Sequence, residues 1–541
     1  MKKLLVLLMF CIYGMSINAK TSINETQKLA TLCKVWGLLK CYHPGVASGK
    51  LDWDKELINQ IPKIKSSTTK AEFNSIINDL VSLADNTKRI KKKKSKTEIK
   101  YEVDFCWIQD TTIISNTISK KLEYVIENFN PQRNHYFKKD IFIGKIKFVN
   151  EARYKSYYPV EEIRILALFR YWNSINYFCP NKNIMDKSWD SVLIEFIPKF
   201  INCSDSISYL NTVLELNTNI NDGHTSYFTT SSRLLNKDYS LPFSVKYIDG
   251  NTVIDQILSD TIKSVKVGDI ITKFNGENIN EYRKSLIKYM GASNNAGLQK
   301  YIDWFIPIGL LNEKVSIEIN NDTNKLVYLR NIIFDSLYFL QKTKKSQMID
   351  GKYLFINLHE LENRKKIKRA IDSIRFAKGI ILDLRNGAPD IENYLYRKIS
   401  CNERTVFIKL KGPRKNIPGA FMSNDNKLRG GNHCYDIKIV ILVDENTQSH
   451  TEWVCMKFQT LKNSITVGSQ TAGADGNMSF IYLPGGIITG FSGLGVLYPD
   501  GTQAQRKGNK IDIEAKQTIK GIKAGKDEVL DRAIEYINTG K

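Results

Sequence analysis

Paired cysteines, long apolar runs and histidines are all scarce in this chain. Its nine cysteines, at 11, 33, 41, 106, 179, 203, 401, 434 and 455, never form a Cys-x-x-Cys pair. That scatter argues against a zinc site and against a dense disulfide framework; buried free thiols in a large core are the favoured reading. Beyond the first twenty residues no segment reaches the 18 consecutive apolar residues that a membrane-spanning helix asks for. Acidic side chains are a minority, 56 against 79 Lys plus Arg, for a net charge of +23. Such a surplus brings nucleic acid or an anionic surface into consideration without choosing between them. Only six histidines occur, at 43, 135, 224, 359, 433 and 450, so the candidates for acid–base work are few.

What remains is the composition of an ordinary globular protein. Of 541 residues, 42% are hydrophobic and 25% charged, which excludes a mainly disordered or collagen-like chain and fits about three or four domains. The start reads as an address. Met1-Lys2-Lys3 precedes the apolar run from Leu4 to Met15, and Ser16-Ile17-Asn18-Ala19 supplies a small residue for cleavage, so residues 1–19 are expected to be a secretory signal peptide. Bulky Met9-Phe10 ahead of Cys11 disfavours a lipoprotein anchor. The expected location is the periplasm or the extracellular space. Export argues against a specific nucleic-acid partner and leaves an anionic envelope surface as a candidate.

The front half repeats itself. Trp36, Pro44, Trp53, Asp54, Leu57, Ile61 and Pro62 recur without a gap as Trp172, Pro180, Trp189, Asp190, Leu193, Ile197 and Pro198, each 136 residues later. Each copy reads as an apolar-periodic helix, a Pro turn and a second helix. His43 becomes Cys179 in the second copy, which points to packing rather than chemistry. Between the copies, Lys88 to Lys96 is dense in positive charge but has no interleaved aromatic residues, so a solvated loop is favoured over a polyanion site. Segments near Glu98–Gln109 and Asp140–Val149 alternate as strands do. Residues 20–150 are therefore expected to form an accessory α+β domain, and 155–235 a mainly helical one.

From 238 to 333 short strands and turns take over. Val267-Gly268-Asp269-Ile270-Ile271-Thr272-Lys273-Phe274-Asn275-Gly276 is a Gly-Asp turn into a strand closed by Asn-Gly, and it resembles the second half of a PDZ domain, a module that adds a peptide strand to a sheet edge. Residues 285–312 read as a helical insertion. From 340 to 541 apolar strands (Lys352–Leu358, Gly379–Leu384, Lys438–Val443) alternate with helices, the pattern of a layered α/β core.

The strand ending at Val443 runs through Asp444-Glu445-Asn446-Thr447-Gln448 into Ser449 and then a helix. A hydroxyl there meets the free N–H groups of a helix N-terminus, which favour a developing oxyanion, although Ser449-x-x-Glu452 is equally a capping box. A serine nucleophile needs a base. Among the histidines His224 stands in a polar turn, Asn221-Asp222-Gly223-His224-Thr225, where it is either that base or a loop histidine.

Taken in order, this turn, the Gly268-Asp269 run, Ile380-Ile381-Leu382-Asp383-Leu384-Arg385-Asn386-Gly387, the Ser449 segment, Gly468-Ser469-Gln470-Thr471-Ala472-Gly473 and Tyr498-Pro499-Asp500-Gly501 resemble the C-terminal processing (tail-specific) serine peptidases. The resemblance covers roughly residues 215–540 and is to the tricorn-like branch, with a PDZ-like domain. It implies a crotonase-like ββα core of α/β class, polypeptide substrates, a serine acyl-enzyme and neither metal nor organic cofactor. By position it makes Ser449 the nucleophile and His224 the base, with the backbone N–H of His450 and one near Gly387 as the oxyanion hole.

Three departures stand out. The family's lysine base, 25 residues past the serine, is Ala474 here, so an imidazole must do that work. The glutamate that orients the histidine in the tricorn-like branch is replaced by Gln505, leaving Gln505 and the nearby Asp222 as candidate orienting groups. The usual Asn-Gly-Gly-Gly is Asn386-Gly387-Ala388-Pro389, and Pro389 has no N–H to offer. These departures keep open a rival expectation, a pseudo-protease that binds peptides without cutting them.

Overall fold

In the computed structural model the described residues are 23–84, 101–225, 239–260, 262–322, 325–333, 344–401, 404–432 and 435–541. The leader at 1–19 and the lysine run at 88–96 lie outside them. Among the described residues no helix is long and apolar enough to cross a membrane.

The repeat folds as two matching helix pairs: Glu25–Tyr42 with Trp53–Ser66, and Glu161–Phe178 with Trp189–Ile201. Each pair is locked by reciprocal indole bonds. The Trp36 N–H donates to the Trp53 carbonyl at 2.9 Å, and the Trp53 N–H to the Trp36 carbonyl at 3.0 Å. Trp172 and Trp189 do the same at 2.8 and 2.9 Å. A buried indole needs an acceptor, and the repeat supplies one for all four.

The two pairs face each other about a local pseudo-twofold axis. Gly37 and Asn173 are equivalent in the repeat and meet each other: a Cβ on Gly37 would fall 1.8 Å from Asn173 Oδ1. Lys34 pairs with Asp190 at 2.8 Å, and their counterparts Arg170 and Asp54 pair in turn. Exchanged contacts of this kind are what twofold packing produces.

That packing runs across the expected boundary between residues 20–150 and 155–235. The two stretches share one apolar core from Leu29 to Ile220, which also takes in Ile481, Leu483, Ile487 and Phe491 of the hairpin Met478–Leu483 and Ile487–Ser492. The copies use their apolar faces on each other, so neither has a core of its own. Two expected strands are corrected among the described residues, outside which 98–100 lie. Cys106–Gln109 is a 3-10 turn and Tyr101 makes only a single bridge, to Ala420. Within 140–149 only Ile146–Phe148 is a strand, paired with Phe137–Lys139, because the Asp140 side chain binds the N–H groups of Phe142 and Ile143 and turns the chain. Of the described cysteines, Cys401 is disulfide-bonded; six are free, and all of those but Cys106 are buried.

Residues 239–333 carry an antiparallel sheet in the order Leu326–Leu329, Lys314–Ile319, Ile270–Phe274, Asn251–Ile257, Phe243–Ile248. Ile279–Ile287 and Asn295–Phe305 are its helices.

The C-terminal region is the expected α/β core. Its sheet runs Gln347–Ile349, Tyr353–Asn357, Gly379–Asp383, Lys438–Val443, Ser464–Gly468, Ile513–Glu514, with the first pair antiparallel and the rest parallel. The central strands are buried on both faces, as their unbroken apolar runs require. Leu354, Ile380 and Ile441 pack with helices Arg364–Ser373, Glu392–Ile399 and His450–Phe458. Phe355, Ile381 and Val440, one residue out of phase, pack against helix Glu528–Thr539. At the carboxyl ends of two neighbouring parallel strands the Leu384–Pro389 and Asp444–Ser449 segments lie side by side: Leu384 N–H donates to Leu442 O at 3.0 Å and the Thr447 hydroxyl to Leu384 O at 3.3 Å.

Candidate active site

Ser449 is held at φ +56° and ψ −122° immediately before helix His450–Phe458. For a residue with a Cβ this conformation costs on the order of 1–3 kcal/mol and persists only where its surroundings enforce it. The enforcing groups are identifiable. The Ser449 N–H donates to Ala474 O at 3.0 Å and to Glu452 Oε2 at 3.1 Å. Glu452, fully inside, also accepts from the Thr471 hydroxyl at 2.5 Å, Gly473 N–H at 2.8 Å and Ala474 N–H at 3.0 Å. Burial pushes its carboxyl above the ordinary range, against those four bonds. Glu452 thus ties the 471–474 loop to the serine turn, and the Ser449 hydroxyl is directed elsewhere.

It is directed at His224. Ser449 Oγ lies 3.0 Å from His224 Nε2, and 225 residues of sequence separate the two. His224 is 4% exposed and Asp222 2%. On the other side of the ring, Nδ1 lies 2.9 Å from Ser492 Oγ and 3.2 Å from Asp222 Oδ1. Asp222 also accepts from the backbone N–H groups of His224 at 3.0 Å and Ser492 at 2.6 Å. Burial alone would raise the Asp222 carboxyl; the His224 side chain and these N–H groups outweigh it and hold it below the ordinary carboxylate range. Two acceptors face Nδ1, so the tautomer with Nδ1 protonated fits, leaving the Nε2 lone pair toward the Ser449 hydroxyl.

The structure separates the two candidate orienting groups. Asp222 is at the ring; Gln505 is not. The Gln505 amide donates to Ser293 Oγ at 3.2 Å, and that hydroxyl receives the Gly223 N–H at 2.9 Å. Gln505 therefore steadies the turn that carries His224 without touching the imidazole. Ala474 also acquires a physical meaning: it is fully buried, and a Cβ on Gly223 would stand 3.1 Å from its own Cβ. The histidine turn sits where a long side chain from position 474 would need to pass.

The expected oxyanion donors differ from each other. The His450 backbone N–H, first in its helix, has no acceptor among the described residues. Gly387, at φ +98°, uses its N–H to close a turn onto Leu384 O at a long 3.4 Å. Its N–H therefore faces the chain's own carbonyl rather than standing free. The His450 ring is half-exposed, with Nε2 3.6 Å from Asp390 and 3.8 Å from Glu392, away from the His224 pairing.

Sequence reasoning missed a clamp on the residue before the nucleophile. Gln448 Oε1 accepts from Lys300 Nζ at 2.7 Å and from the Tyr301 hydroxyl at 2.8 Å, both on the helix Asn295–Phe305. From the same region Lys246 reaches Glu445 at 2.6 Å and Asp444 at 3.6 Å. Burial pushes the Lys300 ammonium down to about 8. Beside this clamp a cavity of about 740 Å³ opens between the 239–333 region and the α/β core, lined by Lys246, Lys300, Arg385, Asp444, Gln470 and Lys507 among others. Its lining stops at Asp444 and Glu445, short of Ser449. Reading 285–312 as an insertion gave no signal for Lys300 or Tyr301, and nothing in sequence flags Ser492.

A strained serine at a strand-to-helix turn, paired with a buried imidazole backed by a carboxylate, is the arrangement of a serine-type peptidase. A comparison agrees with this class: residues 352–515 match the model of peptidase family S41. No curated protein sequence matches the chain. Among solved structures it is similar to mature CPAF complexed with lactacystin, at 11% identity over 71% of this chain and 100% of that one, with a TM-score of 0.56. A second structure of mature CPAF shows 12% identity over 71% and 99%, with a TM-score of 0.55. At these identities the likeness is one of fold.

Proposed function

We propose that the protein is an exported serine endopeptidase that cleaves polypeptides through a Ser449 acyl-enzyme, with His224 as general base. The observation that carries this reading is the 3.0 Å approach of His224 Nε2 to Ser449 Oγ, within the distance at which a base takes a proton. As Ser449 Oγ attacks the scissile carbonyl, its proton passes to Nε2 and the ring becomes cationic. Asp222, kept ionised, stabilises that cation while Ser492 helps fix the ring plane. The proton then goes to the leaving amine. Water, deprotonated by the same nitrogen, hydrolyses the acyl-enzyme. The His450 N–H is the first oxyanion donor; Gly387 joins it by exchanging its long bond to Leu384 O for one to the oxyanion. No metal or organic cofactor enters these steps.

Export rests on the leader-like start at 1–19. The 239–333 region, PDZ-like by its Gly268-Asp269 and Asn275-Gly276 turns, is read as the module that receives the polypeptide, beside the cavity at the clamp. Digestion of an unfolded polypeptide by the mature chain tests the reading. Fragments are expected from the wild type and none from Ser449→Ala; fragments from both, or from neither, would remove it.

A further inference from the structure

The two most exposed large apolar side chains in the described chain are neighbours at one hairpin tip. Ile141 is 83% and Phe142 91% exposed, and the next residue, Ile143, is 42% exposed. They sit between strands Phe137–Lys139 and Ile146–Phe148. Scattered exposed apolar residues need no explanation, but three in a row on a projecting turn do.

The tip is built to keep its shape and its hydrogen bonds outside water. Asp140 Oδ1 accepts from the Phe142 and Ile143 N–H groups, both at 2.9 Å. The Gly144 N–H donates to Asp140 O at 3.0 Å and the Asp140 N–H to Lys145 O at 2.8 Å. The Asp140 charge is itself matched by Lys147 at 2.6 Å. The Phe142, Ile143 and Gly144 N–H groups are thus satisfied within the turn, which lowers the cost of placing it in a medium without water.

Charge surrounds the base of the hairpin and is absent from its end. Lys138 and Lys147 are exposed beside the tip; Lys139 Nζ donates to Pro413 O at 2.7 Å, and Lys145 Nζ donates to Met478 O and lies 5.1 Å over the ring of Phe480, itself 38% exposed. An apolar end with lysines one step behind it matches a bilayer interface, where the apolar groups enter the acyl boundary and the ammonium groups stay with anionic headgroups. The net charge of +23 adds attraction of the same sign. A second copy fits less well, because docking tip to tip would bring two rings of lysines together.

We propose that the hairpin 137–148 seats the protein on a bilayer carrying anionic phospholipid headgroups, with Ile141 and Phe142 inserted. The inference is independent of the peptidase reading. The test is sedimentation of the mature full-length chain with vesicles of phosphatidylglycerol and phosphatidylcholine, and with phosphatidylcholine alone, alongside an Ile141→Ser/Phe142→Ser variant whose melting temperature is checked. Binding to the anionic vesicles is expected, weakened roughly tenfold or more in the variant at unchanged melting temperature. A Phe142→Trp variant is expected to show emission quenched by brominated acyl chains. Equal binding by wild type and double variant, no binding by the wild type, or an unquenched Phe142→Trp on bound protein would each overturn the proposal. So would self-association without vesicles that the double variant abolishes, since the tip would then serve a second copy.

Discussion

The distances around His224 assign unequal weights to its neighbours. Asp222 is both the anion and the acceptor behind the ring, so Asp222→Asn should slow peptide cleavage by about 10³–10⁴-fold. Ser492→Ala should cost far less, because Asp222 stays at 3.2 Å to accept the Nδ1 proton; steady-state rates with one peptide substrate compare the two. Asp222 is held below the ordinary carboxylate range, so its contribution to stability is fully present above that range and is lost as pH falls through the lowered value, which near-ultraviolet circular dichroism followed into acid would check. At position 474 the expectation is negative: Ala474→Lys should destabilise the chain by about 3–5 kcal/mol, from overpacking and an unpaired buried ammonium, without restoring activity to His224→Ala. The serine and the histidine were legible in the sequence because both stand in short polar turns with distinctive neighbours. Ser492 was not, since a serine at the end of a strand carries no local signal.

Helices, strands and their pairings follow from the apolar pattern to a good extent. The 136-residue repeat was visible as an ungapped match, and its physical content is the pair of tryptophan locks and the exchanged ion pairs. What the repeat could not show was that the copies pack on each other, because equivalence in sequence says nothing about which faces meet. Burial now distinguishes the equivalent ion pairs. The Arg170 and Asp54 side chains are 2% and 5% exposed, while Asp190, opposite Lys34, is 54% exposed. Asp54→Ala should then cost about 1.5–3 kcal/mol, because it removes one carboxylate from the buried Arg170 guanidinium while Glu151 remains at 2.9 Å, and Asp190→Ala no more than about 1 kcal/mol. The urea midpoint of the helical region, followed by tryptophan emission, measures both. Alternation misled at 101–109 and 140–149, where turns held by side chains such as Asp140 replaced the expected ladder.

Across the whole molecule, the turn that presents Ser449 is gripped from another region of the chain, by Lys300 and Tyr301 on Gln448 and by Lys246 on Glu445. Long-range contacts of this kind leave no trace in local sequence. They predict that Lys300→Met slows reaction at Ser449 while stabilising the fold. A lysine whose ammonium is pushed down to about 8 from 10.5 penalises the folded state by on the order of 3 kcal/mol below pH 8. That penalty fades as pH rises from about 8 to 10.5, so the stability advantage of the methionine variant should narrow over the same interval in paired melting curves. The central claim, that His224 activates Ser449, is tested most directly by the rate at which a fluorophosphonate labels the mature protein, with Ser449→Ala and His224→Ala in parallel. Labelling of the wild type, absent in Ser449→Ala and slowed at least about 10³-fold in His224→Ala, is the predicted result. A folded wild type that stays unlabelled even with added peptide, or a His224→Ala variant labelled at the wild-type rate, would contradict it.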